Sequence, residues 1–146
     1  MKDLHSGMTA LVAIAAAALD ADNTPPAVDL QGYNAAEIVL AVGIGGITFS
    51  GTNKIEFKLT HSDDDSAYEA VTADDVLGVD SVGTGGIIKA LTEAHAAAAA
   101  YRFGYVGSKR YLKLTADFSG THGTGTPIAA VVLAGYGHDN PQADQA

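Results

Sequence analysis

The sequence predicts an all-β protein, a single-domain antiparallel β-sandwich with an N-terminal arm and at most one short helix. Three observations carry that prediction. The stretch Tyr101 to Phe118 alternates strictly: Tyr101, Phe103 and Tyr105, then Leu112, Leu114, Ala116 and Phe118, fall on one face. Ile55, Phe57 and Leu59 alternate with Glu56, Lys58 and Thr60 in the same way, the pattern of a half-buried strand. Finally, 17 glycines with many Ala, Thr and Val suit short strands joined by turns. At 146 residues the chain is long enough for one domain with a real core, and the local signals fit jelly-roll-like and immunoglobulin-like strand orders equally.

Residues 1–26 read as an N-terminal arm and loop, 27–136 as the sandwich domain, and 137–146 as a flexible C-terminal tail or one ordered only against a partner. Within the arm, Met8 to Leu19 is apolar over 12 residues, fewer than the roughly 20 a membrane-spanning helix needs. Its single preceding Lys is offset by Asp3, so a signal-peptide core is the weaker interpretation; the segment reads as an arm or first strand, with alanines that would also support a short helix. Pro25-Pro26 then marks a loop. Glu37 to Val42 alternates as a strand, and Gly43-Ile44-Gly45-Gly46 reads as a turn or bulge, because no Lys or helix start follows to make it a phosphate loop.

Between His61 and Asp80 lie seven acidic residues, Asp63, Asp64, Asp65, Glu69, Asp74, Asp75 and Asp80, and no Lys or Arg. The contiguous triplet lacks the alternate acidic positions, the Gly and the closing Glu of a calcium loop, so a solvated turn is the reading. Ile87 to Ala100 is split between a short helix, favoured by its alanines, and a strand Ile87 to Leu91, favoured by its β neighbours; we adopt the strand. Tyr101 to Phe118 reads as a β-hairpin turning at Gly107-Ser108, where glycine would supply the positive φ of a tight two-residue turn. Ile128 to Leu133, a continuous apolar run, predicts a last core strand covered on both faces.

The charge and residue inventory narrows function. Seventeen acidic against eight basic residues give a net charge of −9, which opposes binding to nucleic-acid phosphates. There is no Cys for a thiolate metal site or a nucleophile, the five His have no metal-ligand spacing, and no Ser sits in a nucleophile elbow. Ser62, His122 and Asp117 are a trio that only folding could bring together, with no motif behind it. No enzyme, cofactor or metal is therefore expected. Four of the eight cations, Arg102, Lys109, Arg110 and Lys113, fall on one ribbon; with Asp63, Asp64 and Asp65 they are the candidate partner-contact residues, the cations of one copy meeting the acidic loop of another. A solvated ribbon whose Lys and Arg discourage edge-to-edge aggregation explains them equally well.

Four stretches in this order resemble a family of small structural proteins encoded in the head-gene regions of tailed bacteriophages. They are the opening MKDL, Val28 to Tyr33, Leu59 to Asp64, and Gly104 to Leu112 (GYVGSKRYL). The chain departs from that pattern in its longer alanine run, Ala96 to Ala100, and in Asp63-Asp64-Asp65 where Asp-Asp-Gly is expected. The resemblance implies a virion protein made in the host cytoplasm, a capsid decoration or cement protein on the outer surface of the head. Its implied partners are the major capsid protein and other copies of itself, as a homotrimer, with no nucleic acid and no membrane. A tail or head-to-tail connector component, and a carbohydrate-binding sandwich using the six tyrosines, are the alternatives.

Overall fold

A computed structural model describes residues 3–146; Met1 and Lys2, and with them half of the MKDL motif, lie outside the described residues. Ten strands form two antiparallel sheets. In chain order they are β1 (Met8–Leu19), β2 (Val28–Asp29), β3 (Tyr33–Val42), β4 (Lys54–Ser62), β5 (Glu69–Ala70), β6 (Val76–Leu77), β7 (Ile87–Leu91), β8 (Ala99–Tyr105), β9 (Tyr111–Ser119) and β10 (Thr126–Gly137). The first sheet runs β1-β10-β3-β8-β6; the second runs β2-β9-β4-β5, with β7 also paired to β4. The only helical element among the described residues is a 3-10 turn at His5–Gly7. The all-β sandwich is thus as the alternation requires.

The core forms between the two sheets from the residues of one parity on each strand. Ile38, Leu40 and Val42 of β3 and Ile128, Ala130 and Val132 of β10 meet Ile55, Phe57 and Leu59 of β4 and Leu112, Leu114 and Ala116 of β9, all buried. β7 is a strand, as adopted, and the alanines after it lead into β8.

Three expectations are corrected. First, β8 and β9 are not a hairpin. β8 pairs with β3 and β6, whereas β9 pairs with β4 and β2, so residues 106–110 cross from one sheet to the other. Neither Gly107 nor Ser108 has a positive φ. The reason is burial: set in opposite sheets, Phe103 and Tyr105 bury against the same core as Leu112 and Leu114, while each strand still completes a long ladder with another neighbour.

Second, of the two readings of Met8 to Leu19 the first strand holds and the arm does not: the segment belongs to the sandwich, at the edge of the first sheet, so the domain begins before residue 27. This strand pairs with β10 from Met8 to Leu19 and buries Ala13 and Ile14, with irregularities between Val12 and Ile14 and between Ile14 and Ala17. Third, the tail is ordered against its own chain. The Gln145 side chain behaves as a short piece of strand: the Ala10 N–H donates to its Oε1 and its Nε2 donates to the Ala10 carbonyl, each 2.9 Å. Thr9 and Tyr33 both donate their hydroxyls to Gln142 Oε1, each 3.0 Å.

The acidic turn after β4 is built by its own side chains. Asp65 has φ +56°, the left-handed conformation for which the expected glycine would be the usual residue. Asp64 holds the turn closed, its carboxylate accepting the N–H groups of Ser66 and Ala67 and the Ser62 hydroxyl, each 2.9 Å.

Candidate functional site

Six of the seven candidate contact residues gather at one end of the sandwich, where residues 106–110 cross between sheets, and their charges are answered within the chain. Lys109 Nζ lies 2.5 Å from Asp63 and 3.4 Å from Glu69. Arg110 donates two parallel hydrogen bonds to Asp29, 2.8 and 2.7 Å, and its guanidinium stacks on the Tyr111 ring. Lys113 Nζ is 3.7 Å from Asp65 and sits 4.1 Å from the Tyr68 ring centroid. Among the described residues no cation pairs with Asp64, which serves the turn. The pairing that the sequence suggested between copies is made here inside one copy, because the crossing lays β9 beside β4 and its acidic turn.

A buried hydrogen-bonded pair supports this end. Tyr105 is 6% exposed and His61 5%; the Tyr105 hydroxyl lies 2.9 Å from His61 Nδ1 and accepts the Lys109 N–H at 3.1 Å. Tyr105→Phe removes both bonds while conserving shape, so it is expected to cost about 1–3 kcal/mol in urea unfolding, the penalty of leaving a buried partner unsatisfied.

The electrostatics of the turn give a sign for acid behaviour. The Arg110 guanidinium holds the Asp29 carboxyl below its usual range. Backbone N–H donors do the same for Asp64, from Ala67 first, and for Asp75, from Thr72. A depressed folded-state value contributes stability that is complete above the unfolded value, about 3.9, and is lost as pH falls through the folded one. The urea midpoint is therefore expected to fall on acidification below about pH 4, and Asp64→Asn is expected to flatten that fall.

Arg102 stands apart. It lies on the outer face of the first sheet, its side chain 82% exposed and 3.6 Å from Glu37. The surroundings of this pair went unread in the sequence. The alternation that points Ile38, Leu40, Val132 and Ala134 inward points Ala35, Val39, Ala41, Val131 and Leu133 outward. One row crosses the sheet as Val12, Val131, Val39 and Arg102 on successive strands. To one side of it Ala16, Ala41, Ala100 and Ala129 line a shallow depression; to the other Ala35, Leu133 and Gly135 line a second, rimmed by Leu4 and Tyr136. Val12, Leu77 and Tyr136 are among the most exposed large apolar side chains among the described residues.

The outer face of the second sheet is the opposite in character: Lys54, Glu56 and Lys58 on β4 stand beside Lys113, Thr115 and Asp117 on β9, and Lys58 pairs with Asp117 across the strands. The apolar run Ile128 to Leu133 does have two apolar faces, but this chain covers only one; that is a correction to the strand covered on both sides.

The remaining candidates are engaged elsewhere. Ser62 bonds Asp64, Asp117 bonds Lys58, and His122 Nε2 bonds the Ser119 carbonyl between the rings of Phe49 and Phe118, so the trio shares no hydrogen bond. Among the described residues no group of three or more His, Asp or Glu is placed to hold a metal ion, and no helix is long and apolar enough to cross a membrane. Of the tyrosines, Tyr33, Tyr68, Tyr101 and Tyr105 bond side chains of this chain through their hydroxyls, and Tyr111 stacks under Arg110. Compared with protein-family models, with curated proteins and with solved structures, the chain matches none.

Proposed function

We propose that this chain is a structural subunit that works by assembly, and in its most concrete form a capsid decoration protein that binds the outside of an icosahedral phage head and bridges capsid subunits. The observation that carries assembly is the two-faced sandwich: one sheet presents a charged outer face, the other an apolar one whose strands carry the Glu37–Arg102 pair. A chain with no further role would gain solubility from polar residues at Val39 and Val131, and contiguous bare apolar surface marks interaction sites. The virion half rests on the likeness of the four ordered motifs to phage head proteins. A rigid β module repeated over a symmetric shell gains avidity from many weak contacts, which suits a mechanical role against internal pressure.

The test is a cryo-electron microscopy reconstruction of the particle that carries the chain. Density matching the sandwich on the outer shell, bridging capsid subunits, is the expected result. Density in the neck or tail would overturn decoration in favour of the connector.

A further inference from the structure

We infer that the apolar outer face of the first sheet is the contact surface for a second copy of this chain, packed face to face about a two-fold axis. This rests on reading the chain as an assembly module and is independent of its place on a virion.

Size comes first. Four strands at about 4.8 Å spacing, over about nine residues at about 3.4 Å, project to roughly 600 Å2. A corrugated face has more accessible surface than its projection, so the patch approaches the roughly 800 Å2 that each partner buries in a standard interface.

Relief and charge identify the occupant. The valine row Val12, Val131 and Val39 stands between two hollows, one lined mainly by alanine and the other by Ala35, Leu133 and Gly135. Such a surface complements itself, since the ridge of one copy can lie in a hollow of the other at the roughly 10 Å spacing of packed sheets. Glu37 and Arg102 are the charged residues on the strands of this face, and they are neighbours held by one 3.6 Å contact. A two-fold axis lying in the face between them puts Glu37 of one copy over Arg102 of the other, replacing one loose exposed pair by two enclosed ones. The strands of this face carry one such pair, of net charge zero, against −9 for the chain as a whole, and with Asp3 at the edge of the second hollow they still set fewer like charges against each other than the acidic turn would. A self-complementary pair calls for two-fold symmetry in place of the three-fold expectation.

The test is the mass of the full-length chain in solution by analytical ultracentrifugation across a concentration series. The wild type is expected to reach a dimer, and Val39→Lys to weaken dimerisation at least tenfold with an unchanged circular dichroism spectrum. Glu37→Arg and Arg102→Glu, both at solvent-facing positions, are each expected to be monomeric alone, because like charges then meet across the axis. Their equimolar mixture is expected to recover the dimer. A monomeric wild type, a trimer, or a dimer indifferent to Val39→Lys would overturn the assignment, as would failure of the mixture to associate. The location of the chain on a particle bears on none of these outcomes, so the two proposals fail separately.

Discussion

Gly86→Ala is expected to be among the most damaging single substitutions in the chain. Gly86 has φ +84°, and a Cβ built there would stand 2.2 Å from the Leu59 carbonyl oxygen and 3.3 Å from the Val71 nitrogen. Both neighbours are backbone and cannot swing aside. They belong to the place where β4 changes partners: Leu59 donates its N–H to the Gly86 carbonyl at 2.9 Å and accepts the Val71 N–H at 3.3 Å. The positive φ alone costs about 1–3 kcal/mol in a residue with a side chain, and the overlap adds to it by forcing β7 away from β4. Gly51→Ala is the matched control, since its Cβ would meet nothing within 4 Å and its φ is not positive. Urea unfolding followed by circular dichroism is expected to leave Gly51→Ala near wild type and to move the midpoint of Gly86→Ala sharply down; equal midpoints would refute the account.

Phe57→Ala is expected to cost about 3–5 kcal/mol, a large part of the roughly 5–15 kcal/mol that holds a domain of this size together. Phe57 is fully buried in β4, the central strand of the second sheet, with Ala116 of β9 on one side and Lys89 of β7 on the other. Its small neighbour Ala116 leaves the ring to fill the space between sheets. Truncation therefore opens a cavity that the two rigid ladders cannot close. Val131→Ala, the removal of two methyl groups from the outer face, is expected to cost much less in the monomer, because those groups are already partly in water. If the two substitutions proved equally costly in dilute monomer, the outer face would not be bare.

The crossing residues, at the end of the sandwich reached by β4 just beyond Leu59, are held in a different way. The exposed ion pairs there contribute little individually, and Arg110→Ala is expected to lower the midpoint only slightly and less at high salt. What fixes that end is the buried Tyr105 hydroxyl with His61, which no charge count in the sequence reveals.

Which side chains face inward was legible in the chain before any fold was known. Alternation at Ile55, Phe57 and Leu59, at Phe103 and Tyr105, and at Leu112, Leu114 and Ala116 is a property of extended backbone, so each face could be named before any partner was known. The glycine-rich and acidic turns were legible for the same local reason. Strand partnership was not, because alternation is identical whether two strands lie side by side or face each other across a core. Long-range packing settles that β8 and β9 take opposite sheets, that Met8 to Leu19 closes an edge beside β10, and that Lys109, Arg110 and Lys113 meet carboxylates of their own chain. It also decided that an apolar strand such as β10 is covered once and left bare once, since what covers a face is supplied by residues far away in sequence or by another molecule.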